Sequence, residues 1–100
     1  MKVAVKQSGG YAGEVKDLLQ LDTAQIEPSV SQQVQRIIRD AKFFDLPAVV
    51  QGDVGADFLR YEITVTDNGR QHTVSFQDDG GPKTAAMKKL LESLLKLAVE

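Results

Sequence analysis

The stretch FLRYEITVTDNGRQHTVSF, residues 58–76, decides the fold. Leu59, Tyr61, Ile63 and Val65 alternate with Arg60, Glu62, Thr64 and Thr66, the period of a strand with one buried face. Asp67-Asn68-Gly69-Arg70 follows. Asn-Gly is the strongest short hairpin signal, because a type I′ turn needs positive φ at both central residues. Such a turn fixes register: it pairs Asp67 with Arg70, Val65 with His72, Ile63 with Val74 and Tyr61 with Phe76. Apolar residues then face apolar residues, so pattern and turn agree.

Upstream, Lys2 to Gln7 alternates valine with lysine and alanine and reads as a short strand. SGGYAG, Ser8 to Gly13, breaks it. Glu14 to Leu21 reads as a second strand, with Val15, Leu19 and Leu21 on one parity. Leu18 is out of phase, which a bulge near Asp17 accommodates. Glu27-Pro28-Ser29 opens a helix, with proline in its first turn and Ser29 and Gln32 at capping-box spacing. Val30, Val34, Ile37, Ile38 and Ala41 form its apolar stripe. FFDLP, Phe43 to Pro47, ends it and folds its aromatics beneath it. Ala48 to Asp57 shows no period and reads as a loop. Downstream of the hairpin, Gln77 to Pro82 is turn-rich. A last helix runs from about Lys83 to Ala98, with Met87, Leu90, Leu91, Leu94 and Ala98 inward. The predicted fold is a single α+β domain over residues 1–100, ordered ββαββα. Its sheet is four-stranded and antiparallel, with both helices packed on one face.

The totals narrow the function. A composition 42% hydrophobic and 26% charged is that of an ordinary globular domain. The formal net charge of −2 argues against nucleic acid and against an anionic membrane surface. With no cysteine, thiol catalysis, thiolate metal sites and disulfides are excluded. No apolar run near Met1 is long enough for a signal peptide or a membrane span, so the expected location is cytoplasmic.

Following each element's direction places three glycine-bearing segments at one end. Strand one rises to SGGYAG and strand two descends. A helix of about twelve residues rises roughly 18 Å, so it returns the chain to the same end at Leu46 to Asp57. Strand four rises to Asp78-Asp79-Gly80-Gly81. A rigid scaffold with its loops gathered at one end is the usual setting of a binding site.

Catalytic chemistry has little to draw on. His72 is the only histidine. A triad would need it near Ser8, Ser29, Ser75 or Ser93, and none of these sits in a nucleophile elbow. It reads as a sheet-margin histidine with a hydrogen-bond partner. Asp53, Asp57, Asp78 and Asp79 lie in the end loops, but their spacing fits no calcium loop. Aspartate also favours turns for backbone reasons. SGGYAG lacks the lysine and the following helix of a phosphate cradle. Tyr11 reads either as an aromatic folded back on the sheet or as an exposed anchor. Glycines on both sides permit close backbone approach, and tyrosine is enriched at interface hot spots. No metal or cofactor is expected.

SGGYAG after the first strand, FFDLP after the first helix, GADFLRYEITV at residues 55–65 and RQHTVSFQD at residues 70–78 resemble the emfourin-like proteins. That family is named for a bacterial protein inhibitor of protealysin, a thermolysin-type zinc metallopeptidase. The likeness spans nearly the whole chain. It implies a non-enzymatic protein whose partner is a thermolysin-like metallopeptidase. The partner-binding residues expected from loop position are Ser8, Gly9, Gly10, Tyr11, Ala12 and Gly13. Asp53, Asp57, Asp78 and Asp79 form an acidic rim, and a monomer is favoured. The alternative is a protein–protein interaction module, or a homodimer, of other purpose. A small hydrolase using His72 is a third reading.

Overall fold

The computed structural model describes residues 1–9, 15–50, 59–77, 81 and 84–99. The elements are β1 (Lys2–Gly9), β2 (Lys16–Asp22), α1 (Pro28–Asp40), a 3₁₀ turn (Phe43–Asp45), β3 (Val49–Val50), β4 (Leu59–Asp67), β5 (Arg70–Gln77) and α2 (Ala85–Val99). The sheet is five-stranded and mixed, in the order β2-β1-β4-β5-β3. The expected α+β class with two helices holds. The expected four-stranded antiparallel sheet and ββαββα order are corrected by β3, which pairs parallel to β5 through Val49–Ser75 and Val50–Phe76. Two residues are too few to show a period, and their partner strand lies beyond the next strand in sequence.

The hairpin register is as the turn requires. Asp67 pairs with Arg70, Val65 with His72, Ile63 with Val74 and Tyr61 with Phe76. Asn68 and Gly69 have φ of 51° and 79°, the left-handed values that make Asn-Gly suitable here. β1 lies against the other side of β4, with Val3 opposite Val65 and Val5 opposite Ile63.

Between β1 and β2 the register shifts. Val5 faces Leu19, but Lys6 faces Asp17, so Leu18 is the extra residue of a bulge. The bulge expected near Asp17 is therefore present, and Leu18 packs against the core beside buried Leu19. It also reverses the parity of the residues before it. Val15, expected on the buried face, precedes the strand and is 67% exposed. The bulge and the charges of Lys16, Asp17 and Asp22 blunt this outer edge.

The inward row of each strand builds the core. Val3, Val5, Ile63, Val65, Val74 and Phe76 are almost wholly buried and form one cluster with Val34, Ile38 and Phe43. Met87, Leu90, Leu91 and Leu94 of α2 join it, so both helices cover the same face. Full burial of each such side chain contributes about 1.5–3 kcal/mol. The opposite face carries Lys2, Lys6, Thr64, Thr66 and Thr73, and Thr64 and Thr73 share a hydroxyl hydrogen bond of 2.8 Å. Among the described residues, no helix is long and apolar enough to cross a membrane.

Pro28 occupies the first helical position of α1, which makes Glu27 the cap residue. Ser31 N–H donates to the Glu27 carbonyl at 2.8 Å. The capping box expected at Ser29 and Gln32 does not form, because Ser29 is already inside the helix and no side chain caps it. At α2, Lys88 N–H donates to the Thr84 carbonyl at 3.0 Å, which puts Thr84 in the capping position.

The path of α1 also differs from expectation. The chain leaves edge strand β2 at Asp22, which shares a row with Lys2, Thr66 and Gln71. After α1 it touches down on His72, one residue from that row. The net displacement is across the sheet, not along the strands. Three inter-strand spacings come to roughly 14 Å, which thirteen helical residues at about 1.5 Å each can span. Leu46, expected at the loop end, consequently sits near the Asn68–Gly69 end, and β3 carries the chain to the opposite end at Val50.

Gly69→Ala tests the turn. No atom crowds an added Cβ, so the cost is backbone strain alone. The expected loss is about 1–2 kcal/mol. In urea titration the midpoint falls and the slope is unchanged.

Candidate functional site

One row of residues crosses all five strands at the end of the sheet away from the Asn68–Gly69 turn. Lys16, Gln7, Tyr61, Phe76 and Val50 are paired in sequence along it. Ser8, Arg60 and Gln77 form the next row, and Gly9 and Leu59 the last pair. The described residues that flank segments 10–14, 51–58 and 78–80 therefore stand at one end: Gly9 and Val15, Val50 and Leu59, and Gln77.

The row beneath that end is well braced. Tyr61 and Phe76 stack with centroids 5.5 Å apart and an interplanar angle of 28°. Such pairs add about 0.5–1.5 kcal/mol beyond their buried area. Gln7 Nε2 donates to the Tyr61 hydroxyl at 3.0 Å. Phe76 is buried to 1% exposure. Pairing Tyr61 with Phe76 follows from the hairpin register. Gln7 was not singled out by sequence reasoning, and its only signal is its place on the inward parity of β1.

Of the expected partner-binding residues, Ser8 is half-buried opposite Arg60, and Gly9 is exposed opposite Leu59. Gly9 has φ of 87°, where a side chain would be strained, so glycine suits this exit from β1. Gly10, Tyr11, Ala12, Gly13, Asp53, Asp57, Asp78 and Asp79 lie outside the described residues. Val15 and Leu59 leave apolar surface exposed at this end, Leu59 to 38%.

A second cluster lies toward the other end and fixes FFDLP. Lys42 takes a left-handed conformation, φ 51° and ψ 50°, immediately after α1. The chain then tightens into the 3₁₀ turn, with Leu46 N–H donating to the Phe43 carbonyl at 3.1 Å. Phe43 is buried to 1% exposure. It meets the His72 ring edge-on, with centroids 5.6 Å apart. The Arg70 guanidinium carbon lies 4.4 Å from the centre of the Phe44 ring. His72 Nε2–H donates to the Leu46 carbonyl at 2.7 Å. A carbonyl oxygen only accepts, so Nε2 carries the proton. The histidine expected to have a sheet-margin partner has one, and that nitrogen is committed to the backbone. Among the described residues, no three His, Asp or Glu side chains gather as metal ligands.

β3 is short against the cost of ordering it. Ordering backbone costs about 1–2 kcal/mol per residue, and a backbone hydrogen bond returns about 1 kcal/mol net. A strand of two residues does not hold itself, and Val49 is 54% exposed. Val50 and, three residues before β3, Leu46 are partly buried against the core.

A family model, Emfourin, matches residues 5–95. No curated protein and no solved structure matches the chain.

Tyr61→Phe tests the bracing. It removes the Gln7 partner and leaves the ring stack, so the expected loss is about 0.5–1.5 kcal/mol. Chemical denaturation measures it, and a Gln7→Ala, Tyr61→Phe double-mutant cycle isolates the pair.

Proposed function

The chain belongs to the emfourin family, and on that footing we propose that it is a protein inhibitor of a thermolysin-like zinc metallopeptidase of the protealysin type. The observation that carries the reading is the family match over residues 5–95. It takes in SGGYAG, FFDLP and both strands of the central hairpin.

The mechanism needs no nucleophile. An inhibitor of this kind presents a preorganised surface to the peptidase cleft, and preorganisation reduces the entropy cost of binding. Gly9, Gly10, Tyr11, Ala12 and Gly13, entered from Ser8, form the centre of the proposed contact, with Tyr11 as its anchor. Asp53, Asp57, Asp78 and Asp79 form its acidic rim and would favour a basic rim on the peptidase. The common end of the residues flanking these segments supports the reading, as does the braced row of Gln7, Tyr61 and Phe76 beneath it.

Titration of a thermolysin-type peptidase with the purified protein is expected to reduce its activity stoichiometrically. Tyr11→Ala should weaken inhibition by more than about 1 kcal/mol, as hot-spot truncations do. Absence of inhibition against every thermolysin-type enzyme tested, including one from the same organism, would remove the proposal.

A further inference from the structure

We propose that His72 is a positioning residue that straps the segment from Phe43 to Val50 onto β5, and so sets where the chain enters the loop end of the sheet. The functional half of this inference rests on the inhibitor reading above; the structural half does not.

The segment meets β5 at several points: the His72 contacts, the Arg70 guanidinium 4.4 Å from the centre of the Phe44 ring, Ser75 Oγ–H to the Ala48 carbonyl at 3.4 Å, and β3 itself. The His72 contacts are the Nε2–H bond to the Leu46 carbonyl at 2.7 Å and Phe43 buried against the same ring. The link of β3 to β5 includes Ser75 N–H donating to the Ala48 carbonyl at 2.8 Å. Only Pro47 separates the Leu46 and Ala48 carbonyls, and its ring restricts the backbone between them. Fixing Leu46 therefore brings the Ala48 carbonyl into reach of Ser75 and aligns Val50 with Phe76. On the other side of the strap, Lys42 in its left-handed conformation ends α1, so the helix does not continue into the strap. The side chain that governs β3 thus lies on β5, 26 residues from the carbonyl it holds.

The Ser75 amide reports the strap. It points away from β4 and toward β3, whereas Val74 and Ile63 form a pair inside the antiparallel β4–β5 ladder. His72→Phe keeps an aromatic ring and removes the N–H donor; His72→Gln keeps a donor and removes the ring. In amide hydrogen exchange, His72→Phe is expected to accelerate Ser75 by at least about tenfold and to leave Val74 and Ile63 within about twofold of the unsubstituted protein. His72→Gln should retain most of the Ser75 protection. Unchanged Ser75 protection in His72→Phe would overturn the strap. So would equal acceleration at all three amides, or loss in His72→Gln as large as in His72→Phe. In peptidase titration, His72→Phe should raise the apparent inhibition constant at least about tenfold, or about 1.4 kcal/mol. Unaltered potency with a released Ser75 amide would overturn the functional half. A protein that inhibits no peptidase at all defeats the inhibitor reading instead, and the exchange result still decides the strap.

Discussion

Every row of the sheet is counted from two residues with left-handed backbone. Asn68 and Gly69 turn β4 into β5 with φ of 51° and 79°. That turn sets Val65 opposite His72 and Tyr61 opposite Phe76. β1 then takes its register from β4, placing Val3, Val5 and Gln7 in the same three rows as Val65, Ile63 and Tyr61. A slip of one residue would turn Tyr61, Ile63 and Val65 to solvent. It would also carry His72 away from the Leu46 carbonyl, so the same turn underlies both ends of the molecule.

The helices serve different purposes in this frame. α2 is mainly cover, laying Met87, Leu90, Leu91 and Leu94 over the inward face. α1 is also a carrier, taking the chain from the β2 edge to the β5 side. Its last turn hands over to Phe43, whose ring fills the space between helix and sheet and meets His72. FFDLP is thus a joint: buried aromatic, turned backbone, then an extended exit through Leu46.

Local signals were legible and long-range ones were not. The hairpin register could be read because turn chemistry and alternation lie within nineteen consecutive residues, 58–76. The bulge could be read because Leu18 breaks parity beside Leu19, although its effect on Val15 follows only when the shift is carried through to the start of β2. Pro28 marks the start of α1 correctly, whereas the capping-box spacing of Ser29 and Gln32 misleads, because the cap falls on Glu27, which makes no side-chain capping bond. The direction of α1 is set by what Phe43 packs against, and periodicity does not encode that. β3 and the Leu46 partner of His72 are contacts between residues far apart in sequence. For the candidate site, the gathering of flanking residues at one end was legible from strand directions, because Gly9, Leu59 and Gln77 lie at strand ends. The bracing by Gln7 was not, because a glutamine on an inward parity looks like an ordinary edge residue.

The strand order imposes a timetable on the newborn chain. β1 is an interior strand, yet one of its two neighbours, β4, begins at Leu59 and pairs Lys2 with Thr66. During synthesis the first hairpin emerges with one long side of β1 open, and its partner is not available until residues 59–67 have left the ribosome. Contacts of such sequence separation form late, after the local β4–β5 hairpin can close on itself. In the interval, Val3 and Val5 are shielded by neither β4 nor α2. The lysines at positions 2 and 6, flanking those valines, are then the charges best placed to keep the nascent segment from pairing with another chain.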